Sequence, residues 1–252
     1  MLIPIWIAAK IKRKKIIYDS HEYYTEVTPP DIAMVHLFIL KVMKIFEDIM
    51  MKYTDLNITV CELFADTFTF KYKIKKPLVV KNVPEVYEYI KEDIIRNKLK
   101  LKESDKIVIY LGSMFPGRGV EKIIETSTNL EDNIKLVLIG PTKDEYYRKM
   151  LINKSNNQKN LIYLGTIMPD EVYGYLHSAD IGIVYYENSF FANNSLSNKI
   201  FDYMMAGLPT IAIAMSETKR IIEEVNFGKC YEEIEPRELA MLINRMANDK
   251  NL

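Results

Sequence analysis

Cysteine is scarce in this chain of 252 residues: Cys61 and Cys230 stand far apart, and neither has a Cys-x-x-Cys partner. That excludes a disulfide scaffold and a cysteine zinc site, and reads as two idle thiols in a reducing compartment. Charge of one sign is not in excess either. Lys+Arg and Asp+Glu are both 34, so there is no global field for DNA or RNA and nucleic acid is not an expected partner. No Asp-x-Asp occurs, which argues against a metal-held diphosphate. With no His/Cys/carboxylate cluster in the sequence, no metal and no cofactor is expected. Gly-x-Ser-x-Gly and any Ser/His/Asp or Cys/His nucleophile pattern are missing. A dinucleotide oxidoreductase is disfavoured, because no Gly-x-Gly-x-x-Gly with a downstream ribose acid is present. Long apolar runs are absent. The apolar start MLIPIWIAA is too short to span a bilayer, and its charges follow it, the reverse of a secretory signal.

What is present is ordinary for a globular protein: 48% hydrophobic and 27% charged residues. A chain of this length should bury roughly 70–75% of its extended surface. Short, β-branched, continuously apolar segments alternate with helical ones. The strands expected are 15–19, 56–60, 78–82, 106–112, 134–140, 160–165, 180–186 and 209–213. The helices expected are 2–14, 31–53, 61–73, 85–99, 119–128, 143–155, 169–178, 198–206, 216–225 and 236–248. That alternation implies parallel sheet with right-handed crossovers. Residues 71–85 mix a basic run with Pro77 and Pro84 and mark a boundary. From residue 77 onward, six expected strands make a complete doubly wound domain; before it there are only two. The expected division is residues 1–76 and residues 77–252.

Three places carry chemistry. The loop Gly112-Ser113-Met114-Phe115-Pro116-Gly117-Arg118-Gly119 leaves a strand and enters a helix. Glycines admit an anion close to the backbone, the helix start offers N–H groups, and Arg118 adds a planar cation. A tight turn without a ligand is the alternative. The second place is the polar stretch Asn193-Asn194-Ser195-Leu196-Ser197-Asn198 leading into a helix that carries Lys199 and Asp202. Ser197 or Asn198 should cap that helix, Gly207 should stop it and Pro209 should open the next strand. Lys199 and Asp202 share a face, as anion and sugar ligands or as a plain i,i+3 ion pair. The third place is His21-Glu22, just past the end of a strand, as acid/base pair or as structural residues. His36 and His177 read as ordinary surface or core residues. The basic cluster Lys10, Lys12, Arg13, Lys14 and Lys15 is either a solvated helix end or a contact to anionic lipid headgroups, which gains roughly 1 kcal/mol per basic residue.

Together these residues resemble glycosyltransferase family 4 (group 1) enzymes of the GT-B fold. SLSNKIFDYMMAGLPTIAI is similar to the family's donor-site helix, written with a Pro-Asn-Lys-Leu-Phe-Glu-Tyr-Met core. The family's two glutamates fall on Asn194 and Asp202, an amide and a shorter acid. YLGSMFPGRGVEKII resembles the loop that receives the donor diphosphate, with Arg118 where Lys is common and Ser113 where Arg often stands. Thr166 and Ile167 would border the base, and His21-Glu22 would lie near the acceptor and the transferred sugar. The resemblance implies an α/β fold: a complete Rossmann-like donor domain preceded by a partial acceptor domain. It implies a metal-independent, retaining hexosyltransferase acting on a nucleotide diphosphate sugar and a glycan or lipid-linked acceptor, cytoplasmic or at the inner membrane face. Catalysis would fall to His21, Glu22, Arg118 and Lys199. Donor binding would fall to Gly112, Ser113, Gly117, Gly119, Thr166, Ile167, Asn194, Ser195, Ser197, Asn198 and Asp202. The chain reads as a truncated member that binds donor and transfers poorly on its own. A nucleotide-sugar epimerase of the same fold and a non-catalytic nucleotide-sugar-binding remnant are the alternatives.

Overall fold

The computed structural model describes residues 2–21, 34–86, 93–188, 196–213 and 216–249. Two compact units divide the chain, one formed mainly by residues 1–82 and the other mainly by residues 83–252.

The first unit holds α1 (Leu2–Ile11), β1 (Ile17–Ser20), α2 (Met34–Lys52), β2 (Leu56–Thr59), α3 (Glu62–Tyr72) and β3 (Leu78–Val79). Its three strands pair in parallel in the order β1-β2-β3. On α3, Phe64, Phe68 and Tyr72 recur every four residues and form one buried stripe with Met51 and Val60. The carboxylate of Glu47, itself buried, accepts from the Tyr72 hydroxyl at 2.7 Å and the Tyr18 hydroxyl at 3.3 Å, as a buried charge requires.

The second unit opens with α4 (Ile94–Leu99), then β4 (Lys106–Leu111), α5 (Val120–Ser127), β5 (Ile134–Ile139), α6 (Glu145–Asn157) and β6 (Leu161–Gly165). A 3₁₀ turn (Pro169–Glu171) leads into α7 (Val172–His177), followed by β7 (Ile181–Tyr185), α8 (Lys199–Met205), β8 (Thr210–Ile213), α9 (Ser216–Val225), β9 (Gly228–Tyr231) and α10 (Pro236–Ala247). All pairings are parallel and the order is β6-β5-β4-β7-β8-β9. This is the doubly wound order, whose direction reverses between β4 and β7. Every residue of β5 and of β8 is buried, and each large aliphatic side chain there contributes ~1.5–3 kcal/mol.

The six strands of this sheet are not the six read from the sequence. The segment at 78–82 pairs with β2 instead, through Leu78 and Val79. Its apolar residues are exposed, Leu78 at 53% and Val80 at 52%, so an apolar run there did not signal a central strand. The sixth strand is β9, Gly-Lys-Cys-Tyr, which pairs along one edge and is only partly buried. It lacks the continuous apolar character that marks an inner strand. Within the helix expected over 85–99, Ile94–Leu99 is helical and the Asp93 carboxylate accepts from the Arg96 N–H at 3.4 Å; residues 87–92 lie outside the described residues.

Neither Cys61 nor Cys230 is in a disulfide. Cys61 is buried, and burial pushes the Cys230 thiol up to about 11. Cys230 is therefore protonated near neutral pH.

The switch point is where the fold makes room for a site. β4 and β7 pair only through Val108–Ile181 and Ile109–Gly182. Beyond that, the Tyr203 hydroxyl enters between the strands. It accepts from the Leu111 N–H at 3.1 Å and donates to the Ile183 carbonyl at 3.1 Å. The ring of Tyr203 lies where a side chain on Gly182 would be. Tyr203→Phe is expected to lower stability by about 1–3 kcal/mol, because it strands a buried donor and a buried acceptor. Urea unfolding reads this directly; a loss below about 0.5 kcal/mol would mean that the two strands close on each other without the phenol.

Candidate functional site

The site is built at the carboxyl ends of β4 and β7. The turn Phe115-Pro116-Gly117-Arg118 closes with the Arg118 N–H on the Phe115 carbonyl at 3.2 Å, and Gly117 has φ 85°. Proline second and a left-handed glycine third are the residues a type II turn requires. The turn presents Arg118 immediately before α5, whose N-cap Gly119 offers no side-chain acceptor, so the helix start keeps unoccupied N–H groups. The loop is tied sideways as well: Gly112 N–H bonds the Ile139 carbonyl at 2.9 Å and Met114 N–H bonds the Pro141 carbonyl at 2.9 Å.

α8 brings the second cation. Its end follows the expected pattern, with Gly207 N–H on the Met204 carbonyl and Leu208 N–H on the Tyr203 carbonyl, the paired bonds of a Schellman stop. Its start does not. Asn198 occupies the N-cap position but makes no side-chain cap bond. Ser197 Oγ is buried with no hydrogen-bond partner among the described residues. Lys199 extends over Gly112, where its Cε and Nζ fill the space a side chain at 112 would need. Gly112→Ala, at a φ of 144° that favours glycine, is therefore expected to displace Lys199 and to weaken any diphosphate held beside it about tenfold, the loss of one charge-assisted hydrogen bond. Isothermal titration with UDP checks it, and unchanged affinity would show that Lys199 does not act from this position.

Lys199 and Asp202 do not pair. Lys199 Nζ lies 4.7 Å from the Tyr110 ring centroid, 5.0 Å from the Tyr186 ring centroid and 3.4 Å from the Tyr186 hydroxyl. Asp202 accepts from the Tyr173 hydroxyl at 2.8 Å; burial raises its carboxyl above the usual range, and this bond only partly offsets that. Arg118 Cζ lies 4.7 Å from the Phe115 ring centroid and 5.0 Å from the Tyr186 ring centroid. Among the described residues, neither Arg118 nor Lys199 forms an ion pair with a carboxylate. Two cations are thus held by aromatic faces, which orient charge without neutralising it. Phe115 belongs to the candidate loop, whereas Tyr186 and Tyr110 lie outside the three places that the sequence marks. The Tyr-Tyr that ends the strand at the switch point was the available signal.

Ser113 is exposed in the same loop. Thr166 and Ile167 follow β6 beyond Gly165. β6 lies two strands from β4, roughly 10 Å at ordinary strand spacing. His21 belongs to the first unit, past the end of β1, with Nε2 3.1 Å from Asp19 Oδ2; both side chains are exposed. Glu22, Asn194 and Ser195 lie outside the described residues. Among the described residues, no three of His, Cys, Asp and Glu gather in a group that suits a metal ion, and no helix is long and apolar enough to cross a membrane. In the basic cluster Lys10 is exposed but tied down: its Nζ donates to the Tyr53 carbonyl at 2.6 Å and sits 5.5 Å from the Trp6 ring centroid. Lys12, Arg13, Lys14 and Lys15 are exposed.

The family described as "Glycosyl transferases group 1" matches residues 75–252. An alpha-monoglucosyldiacylglycerol synthase of Streptococcus pneumoniae is 26% identical over 257 aligned residues, covering 91% of this chain and 53% of the relative. A lipopolysaccharide 1,2-N-acetylglucosaminetransferase of Salmonella typhimurium is 28% identical over 110 residues, 40% of this chain and 29% of that protein. The chain thus spans about half the length, or less, of these curated relatives. Among solved structures, HepE of Anabaena in complex with UDP and glucose aligns with TM-score 0.77 and 18% identity, over 99% of this chain and 66% of that one. WaaG, described as a glycosyltransferase of lipopolysaccharide biosynthesis, aligns with TM-score 0.70 and 16% identity, over 98% and 73%. The α/β fold with parallel sheets is that of these glycosyltransferases. With the matched segment covering the whole sheet of the second unit, the chain belongs to the group 1 glycosyl transferases.

Proposed function

We propose that this chain binds a nucleoside diphosphate sugar at the carboxyl ends of β4 and β7 and transfers its sugar to a glycan or lipid-linked acceptor. The observation that carries this reading is the pair Arg118 and Lys199. Both are cations without carboxylate partners among the described residues, and they stand beside a glycine loop and an uncapped helix start at the switch point. The diphosphate lies against Gly112, Arg118, Lys199 and the first N–H groups of α5. The base lies over Thr166 and Ile167, and Asp202 accepts from a sugar hydroxyl through the oxygen not taken by Tyr173.

As the bond from the sugar to the diphosphate breaks, negative charge grows on the leaving phosphate. Arg118, Lys199 and the helix N–H groups are already oriented toward that charge, so stabilising it requires little reorganisation. No metal ion is part of this reading. Retention of configuration by same-face attack, with the leaving phosphate accepting the acceptor's proton, is what the family implies. The transfer of N-acetylglucosamine to lipopolysaccharide and the synthesis of a glucosyldiacylglycerol, named for the two curated relatives, support a glycan or glycolipid acceptor. Contact with an anionic membrane surface, on the cytoplasmic side, is the finer reading of α1. Ile5, Ile7 and Ile11 are exposed there, at 61%, 46% and 77%, beside four exposed cations.

The experiment is a transfer assay in EDTA with UDP-, GDP- and ADP-sugars and a panel of lipid-linked and oligosaccharide acceptors. Acceptor-dependent release of the nucleoside diphosphate, lost in Arg118→Ala and Lys199→Ala, is expected. Donor binding with no release under any acceptor would leave a binding module. An epimerised donor formed with no acceptor present would favour the epimerase.

A further inference from the structure

Tyr186 follows the last residue of β7, next to Tyr185, whose ring packs against the α-carbon of Gly119. Tyr186 touches both cations of the site. Arg118 Cζ and Lys199 Nζ are each 5.0 Å from its ring centroid, and Lys199 Nζ is 3.4 Å from its hydroxyl. Each cation has one further aromatic wall, Phe115 for Arg118 and Tyr110 for Lys199, both at 4.7 Å. Tyr186 is the ring they share. Long cationic side chains that are free to rotate lose rotamer freedom when they grip an anion, and a side chain already held loses less. Like charges also repel, and a ring whose electron-rich surface meets both lessens that cost.

We propose that Tyr186 is a positioning residue that holds Arg118 and Lys199 against one ring, so that an incoming diphosphate meets both charges at once. The inference rests on the reading of this site as one for a nucleoside diphosphate. Burial raises the Tyr186 phenol, but the nearby Lys199 and Arg118 charges, together with hydrogen bonding at its hydroxyl, outweigh it and leave the phenol below the usual tyrosine range. That direction agrees with both cations facing the ring in the absence of ligand.

The test is isothermal titration of the 252-residue chain with inorganic pyrophosphate and with UDP, in EDTA, at several salt concentrations. Tyr186→Leu should weaken both ligands roughly tenfold or more, as a loss of preorganisation would, and Tyr186→Phe, which keeps the ring, should recover most of that. The Leu effect should shrink to about twofold when Lys199 or Arg118 is already alanine, since coupled residues are non-additive. Should the Leu variant not melt cooperatively, Tyr186→Gln makes the same comparison. Unchanged affinity in Tyr186→Leu, or a loss of equal size in the parent and in both alanine backgrounds, would overturn the inference. If the parent binds and Lys199→Ala and Arg118→Ala weaken it, only the role of Tyr186 has failed. If the parent binds neither pyrophosphate nor UDP, the diphosphate reading fails and takes this inference with it.

Discussion

Lys199→Ala is expected to reduce affinity for UDP or another nucleoside diphosphate by roughly tenfold to a hundredfold, the range of one charge-assisted hydrogen bond of about 1.5–3 kcal/mol. Stability should change by less than about 1 kcal/mol, because the side chain contributes to the fold chiefly through two cation–ring interactions at a partly open site. Separating these effects is what makes the variant informative: the ammonium stands over Gly112 and beside Tyr186, with no carboxylate partner among the described residues. Raising the salt concentration should weaken the parent's binding more than the variant's, since the charge removed is one that salt screens. Calorimetric titration against melting curves gives both quantities. Equal affinity in the two proteins would remove Lys199 from the donor site.

The largest stability effect is expected at the opposite end of the same sheet. Arg96, whose side chain is 14% exposed, joins α4 to the starts of β4 and β7. Its guanidinium donates to Asp180 Oδ2 at 2.7 Å, to the Asp105 carbonyl at 2.7 and 3.0 Å, and to the Ser178 carbonyl at 3.2 Å. Asp180 Oδ2 in turn accepts from the Ile107 N–H at 2.8 Å. Arg96→Ala leaves that carboxylate and two carbonyls without their main donor. Removing one partner of a buried pair costs about 3–5 kcal/mol; Asp180 keeps some water and the nearby Lys106, so about 2–3 kcal/mol is the expectation here. In a chain of this length that lowers the melting temperature by roughly 4–10 °C. A loss under about 1 kcal/mol in denaturant unfolding would show that solvent replaces the guanidinium with little penalty.

The sheet of the second unit was largely legible because β4, β5, β7 and β8 are short and predominantly apolar and alternate with helical segments. Pro116-Gly117 and Gly207 act at the turn and the stop that their chemistry suggests. What escaped the sequence were elements whose role is set by neighbours. Leu78-Val79 and Gly228–Tyr231 are both short edge segments, one apolar but exposed, the other mixed. Composition cannot say which sheet an edge strand will join. At the site, the loop with Arg118 and the helix with Lys199 stand in the sequence as two separate places, and the fold sets Lys199 over Gly112 and both cations against Tyr186. Lys199 and Asp202 share a helix face at i,i+3, yet each finds a tyrosine from another element, Tyr186 and Tyr173. Tyr203 lies on the helix its motif predicts, and its hydroxyl bridges two strands. Such pairings across elements leave no trace in local spacing.

The most direct test of the central claim is a thermal-shift titration of the whole chain in EDTA against UDP-, GDP- and ADP-sugars. A ligand at ~100 times its dissociation constant should add ~2.7 kcal/mol of stability. The account predicts a saturable rise in melting temperature with one nucleotide class, abolished when Arg118 and Lys199 are both replaced by alanine. A cooperative melt that no donor shifts, or a shift that survives the double replacement, would contradict it.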